Sequence, residues 1–124
     1  RQHAVSIGEL NGLDIQFTVN GDIIRVSDET ETAIYRILQE ALTNIIRHAN
    51  AKQVNIFVDN HDHVLRVVIE DDGVGFDPSI IHLNHLGLVG MKERALMLGG
   101  SINFETPLNG GTRIVLEVPC QSAS

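Results

Sequence analysis

Tryptophan is absent from this 124-residue chain, and aromatic residues make up only 4% of it. Proteins that hold single-stranded nucleic acid stack bases on aromatic rings, so that class is disfavoured. No basic stretch interrupts a formal net charge of -7. An acidic surface repels phosphate backbones and anionic lipid, so no nucleic acid partner and no direct membrane contact are expected. Cys120 is the lone cysteine and cannot staple the domain. A free thiol without a role and a cytoplasmic setting are the expectation. Neither a signal peptide nor an apolar run of the roughly 20 residues that span a bilayer is visible. The chain opens at Arg1-Gln2-His3 without Met, and a piece of a longer protein is expected.

What is present suits one globular domain over residues 1–124, with 43% hydrophobic residues. At this size a core can form without disulfide or metal staples. Residues 13–19 alternate apolar and polar, as a half-buried strand does. Asn20-Gly21-Asp22 signals a turn, and Ile23–Val26 is expected to return as a short strand. Asp28 with Glu31 resembles a capping box. Apolar residues then recur at Ile34, Ile37, Leu38, Ala41, Leu42, Ile45, Ile46 and Ala49, so a helix is predicted over 29–49. Strands at 53–59 and 64–70 form a hairpin. A second helix fits 89–98 and stops at Gly99-Gly100. Strands at 101–106 and 112–118 flank a last turn. The fold class is α/β, a two-layer sandwich of a mixed, largely antiparallel sheet with helices packed on one face. A doubly wound fold is excluded, because two strand pairs lack helical crossovers.

Four stretches can carry chemistry. Glu40, Asn44 and His48 stack at i, i+4 and i+8 on one flank of the long helix, with Arg47 beside them. A carboxylate and an amide oxygen are hard ligands that suit Mg²⁺. An ordinary solvated helix edge carries the same residues. Asp71-Asp72-Gly73-Val74-Gly75 closes a buried strand. Its glycines let a flat ligand approach, and Asp71 can accept from an exocyclic amine such as adenine N6. A plain Asp-Gly turn reads the same way, and the acidic spacing of a calcium loop is missing. Gly87-Leu88-Val89-Gly90-Met91 leads into a helix, whose open N–H groups make an anion site. It is not a P-loop, and a flexible loop before a helix has the same composition. Asn109-Gly110-Gly111-Thr112 precedes the last strand and would serve equally as a hairpin turn.

Taken in order, these stretches resemble the ATP-binding domain shared by gyrase, Hsp90, histidine kinases and MutL, with its Bergerat-type fold. The match is closest to sensor histidine kinases of the nitrate/nitrite-sensor type. It rests on Tyr35–Asn44 continuing to Arg47-His48-Ala49-Asn50-Ala51, then Asp71–Phe76, Gly87–Arg94 and Leu98-Gly99-Gly100, and spans about Leu13 to Pro119. The resemblance implies that ATP and Mg²⁺ are bound. It makes Asn44 the Mg²⁺ ligand and Glu40 the general base near the γ-phosphate. Arg47 and His48 would lie toward the phosphates, and Asp71 would bind adenine N6. Gly73 and Gly75 would shape the adenine pocket. Gly87, Leu88, Val89, Gly90 and Met91 would line the phosphates, Thr112 would support adenine through a water, and residues 77–86 would close as a lid.

There are departures from the family pattern. His85 stands where the lid commonly has glycine, and Asn109 stands where the last glycine box begins. The phosphoacceptor histidine of such kinases lies on a separate dimerisation domain, and none of the six histidines fits that role. His61 and His63, in a hairpin loop, would need further ligands to hold a metal. The implied partners are ATP, the dimerisation domain of the same protein and, indirectly, a response regulator. Two other readings stand beside this one: a gyrase-like or Hsp90-like ATPase switch, and a pseudokinase that holds nucleotide and signals by conformation. The short stretch between Asp77 and Gly87 disfavours the first, and intact Glu40 and Asn44 disfavour the second. An anti-sigma serine kinase shares the fold but fits the Gln39-Glu40 and Met91–Arg94 contexts less well.

Overall fold

A computed structural model describes residues 2–10, 13–20, 24–25, 27–45, 51–73, 88–105, 110–119 and 121–122. In chain order the elements are β1 (Gln2–Leu10), β2 (Leu13–Asn20), β3 (Ile24–Arg25), α1 (Asp28–Asn44), β4 (Gln53–His61), β5 (Val64–Asp71), α2 (Leu88–Met97), β6 (Ser101–Glu105), β7 (Thr112–Pro119) and β8 (Gln121–Ser122). Six strands make one sheet in the order β1-β2-β4-β5-β7-β6. Only β2 and β4 pair in parallel, and α1 lies between them in the chain. The other four pairings are antiparallel. The mixed, largely antiparallel α/β sandwich expected from the sequence is therefore the fold.

One face of the sheet and both helices share the core. Ile15, Val54, Ile56, Leu65, Val67, Ile69, Ile102, Ile114, Leu116 and Val118 meet Ile37, Ala41 and Ile45 of the first helix and Met91 and Ala95 of the second. Ile34, Leu38 and Leu42 pack against its edge. The apolar stripe of the long helix thus does what its period predicts. On the opposite face Val68 and Val115 pair across β5 and β7. Beside them Arg113 bridges Glu70 at 3.3 Å and Glu105 at 3.6 Å.

Three local details differ from the sequence reading. The first strand, β1, is new. Its register shifts between Ser6 and Gly8, so Val5 and Leu10 fall out of the period-2 pattern that marks a strand. The segment 24–25 is a strand but not a return onto β2. It pairs with Gln121–Ser122 in a separate two-stranded sheet. The cap of α1 is Ser27, not Asp28: Thr30 N–H donates to Ser27 Oγ at 3.1 Å. A hydroxyl in extended backbone one residue earlier satisfies an open N–H, and Asp28, Glu29 and Glu31 then complement the first turn's positive end. The predicted helix beyond residue 45 and the lid at 77–86 lie outside the described residues.

The remaining turns follow their residues. Asp62 and His63 join β4 to β5 with φ of 51° and 64°, the sense a two-residue hairpin requires. The second helix ends with Gly99 at φ 74°. Gly99 N–H donates to Leu96 O at 3.0 Å, and Gly100 N–H to Ala95 O at 2.9 Å. That pair of bonds is a Schellman close, which needs a left-handed residue where glycine stands.

Candidate functional site

Asp71 ends β5, between Val54 of β4 and Thr112 of β7. By strand alternation it shares the helix-covered face with Ile69, Val67 and Leu65. It is 9% exposed and Thr112 2%. Gly73 N–H donates to Asp71 Oδ1 at 2.8 Å. The other carboxylate oxygen, Oδ2, and the Thr112 hydroxyl oxygen are both buried without a hydrogen-bond partner among the described residues. Burial pushes the Asp71 carboxyl above its ordinary value and neighbouring Asp72 adds to the rise, while the Gly73 N–H and, more weakly, the Thr112 N–H and hydroxyl pull it down. The corner thus holds a buried acceptor oxygen and a buried hydroxyl side by side.

The two glycine turns pack onto this corner. Gly111 has φ 83°, and a Cβ there would overlap the Asp71 carbonyl oxygen. A Cβ on Gly110 would lie 3.5 Å from the Gly73 carbonyl oxygen. Backbone therefore runs against backbone beside Asp71, which only glycine at 111 permits. Asp72 points elsewhere. Its Oδ1 accepts Lys52 N–H at 2.8 Å and Gln53 N–H at 2.9 Å. These bonds, the Gln53 one foremost, hold its carboxyl below the ordinary value. The sequence reading quoted Asp72 within its motif and gave it no role. The available signal was a second carboxylate at a strand end, where open backbone N–H groups collect.

On α1, Asn44 is 4% exposed and Glu40, one turn earlier, is half-buried. The helical spacing that puts both on one flank is thus realised in a wall of the core. Among the described residues no group of three or more His, Cys, Asp or Glu side chains could hold a metal. An amide oxygen with one carboxylate nearby still fits Mg²⁺, which keeps several waters and takes one or two protein oxygens. His61 contacts Asp62 at 3.2 Å in an exposed turn, with no third ligand among the described residues.

The second helix starts at Leu88, so the N–H groups of its first turn have no partner within the helix. Gly90 is half-buried and Val89 is 45% exposed. Met91 is fully buried in the core, so it can offer a ligand only its backbone. Arg47, His48, Gly75 and Gly87 lie outside the described residues, as do His85 and Asn109. Among the described residues no helix is long and apolar enough to cross a membrane.

Comparisons with known proteins give the family and the fold. A profile described as histidine kinase-, DNA gyrase B-, and HSP90-like ATPase matches residues 29–122. The chain is 35% identical over 119 residues to the signal transduction histidine-protein kinase/phosphatase DegS of Brevibacillus brevis, covering 96% of this chain and 31% of that protein. It is 35% identical over 112 residues to the oxygen sensor histidine kinase NreB of Staphylococcus carnosus, covering 87% of this chain and 31% of that protein. It thus spans about a third of the length of these relatives. The fold matches the crystal structure of the ATP binding domain of PrrB from Mycobacterium tuberculosis, with a TM-score of 0.75, 21% identity and 98% of both chains covered. The profile covers most of the chain and includes the helix, the Asp-Gly turn and the last glycine turn, and so the chain belongs to the histidine kinase-, DNA gyrase B- and HSP90-like ATPase family.

Proposed function

We propose that this chain is the ATP-binding catalytic part of a cytoplasmic sensor kinase. It holds Mg-ATP and donates the γ-phosphate to a histidine on a separate dimerisation domain of the same protein, from which the group passes to a response regulator. One observation supports the nucleotide reading: the buried Asp71 carboxylate beside the buried Thr112 hydroxyl at the mouth of the glycine turns. An exocyclic amine is a donor that suits this carboxylate, and adenine carries one at N6. Thr112 supports the same edge of the base through a water, and the family resemblance assigns Gly73 and Gly75 to the adenine pocket.

At the other end of the nucleotide, Gly87 through Met91 present backbone N–H groups and the positive end of α2 to the phosphates. The family resemblance assigns Arg47 and His48 to the phosphate end as well. Asn44 would hold Mg²⁺, which would supply positive charge against the phosphates. Glu40 acts as the general base for the acceptor imidazole: the unprotonated ring nitrogen bonds to the γ-phosphorus while the proton on the other ring nitrogen is taken up. The bond to the bridging oxygen then breaks and ADP leaves. The kinase branch, rather than an ATPase switch, is supported by relatives that are themselves named histidine kinases.

Calorimetric titration of a non-hydrolysable ATP analogue, with and without Mg²⁺, tests this. Asp71→Asn replaces an acceptor oxygen with a second donor, and binding should weaken by about 100-fold, the range for a lost bond to a charged group. Asn44→Ala should abolish the Mg²⁺ dependence and leave adenosine binding intact. Absence of any binding by the unaltered chain at millimolar nucleotide would refute the reading.

A further inference from the structure

The corner that opens β4 is fastened from two sides. Lys52 and Gln53 N–H both donate to Asp72 Oδ1. Asp72 N–H returns a bond to the Gln53 carbonyl at 3.2 Å, and Asp14 N–H of β2 donates to the Lys52 carbonyl at 2.9 Å. The end of β5 that carries Asp71 is thereby tied to the point the chain reaches after leaving α1. Asp72 is itself exposed, so water would satisfy these N–H groups if the carboxylate were gone. The bonds therefore fix geometry more than they rescue buried polar atoms.

We propose that Asp72 is a positioning residue for nucleotide binding: its Oδ1 clamps the adenine-reading end of β5 to the corner that follows the phosphate-facing helix, and so sets the spacing between the two halves of the site. The inference rests on the ATP reading above. A ligand that must touch Asp71 at one end and the Asn44 flank at the other senses that spacing directly. Displacing one contact by about 1 Å is enough to degrade such a fit. Position, more than charge, is what the clamp needs. Asparagine offers an acceptor oxygen at the same reach, whereas glutamate keeps the charge and moves its oxygens one methylene away.

The test is calorimetry of the Mg-bound ATP analogue on the unaltered chain and on Asp72→Ala, Asp72→Asn and Asp72→Glu, at a temperature where circular dichroism shows each fully folded. Asp72→Ala and Asp72→Glu should each weaken binding about tenfold, the low end for groups that orient a contact residue. Asp72→Asn should restore it to within about threefold of the unaltered chain. A residue that only stabilises the fold would lower the melting midpoint and leave the dissociation constant of the folded protein unchanged. Should Asp72→Ala fail to fold, the Asn and Glu pair still decides. Equal binding by all variants, or loss in Asn with retention in Glu, overturns the clamp while leaving the ATP reading intact. No binding by the unaltered chain overturns both.

Discussion

Asp71 and Thr112 are buried side by side, and the Thr112 hydroxyl favours the charged form of the Asp71 carboxyl. Thr112→Val keeps the shape and removes the hydroxyl. Unfolding by urea at neutral pH should show the nucleotide-free chain destabilised by about 1 kcal/mol, and calorimetry should show weaker nucleotide binding. A pH series separates the two neighbouring carboxylates. The raised Asp71 value means the fold binds that proton more tightly than the unfolded chain does. Its contribution is present below about 3.8 and is lost as pH rises through the folded value. Asp72 is lowered, so its contribution is present above about 3.8 and is lost as pH falls through the folded value. Asp71→Asn should accordingly be more stable than the unaltered chain near neutral pH, with the advantage vanishing on acidification. Denaturation midpoints across the acid range check both signs.

At the scale of elements, caps and turns carry separable roles. Ser27→Ala removes the acceptor for Thr30 N–H and should cost about 1 kcal/mol of stability. It should leave the nucleotide dissociation constant unchanged, because the cap lies at the opposite end of α1 from Asn44. Gly111→Ala should do both kinds of damage. Its φ is left-handed and its Cβ would overlap the Asp71 carbonyl, so a loss of about 1–3 kcal/mol from strain should accompany weaker binding. Melting and titration on the two variants distinguish a structural terminus from a turn built into the site. The helices, the 53–70 hairpin, β6 and β7 were legible because their apolar periods are strong, and α2 also because it stops at Gly99-Gly100. β1 was not, because a register shift breaks its alternation. The partner of the 24–25 segment was not, because β8 is separated from it by nearly the whole chain.

For the molecule as a whole, the proposed phosphoryl transfer needs a second body. The chain spans 31% of each curated relative named above, and the proposed acceptor histidine belongs to another domain. Incubated alone with γ-labelled ATP, the chain should bind nucleotide and acquire no phosphohistidine. With a dimerisation domain of a histidine kinase supplied in trans, label should appear on that domain and should be lost with Glu40→Gln. Acid-labile, base-stable label on this chain's own histidines would contradict that division of labour.

The sequence by itself determined the family, the order of the motifs and the residue types at each box, because helical and strand periods and glycine turns are local properties. It placed Asp71 and Asn44 among the candidates by their chemistry and Thr112 by the family resemblance. Only the tertiary structure decided that Asp71 and Thr112 are cross-strand neighbours, that one carboxylate oxygen is left open, and that Asp72 turns away to clamp Lys52 and Gln53. Those facts depend on the register between strands distant in the chain, and a shift of one residue would reverse which side chains face the site.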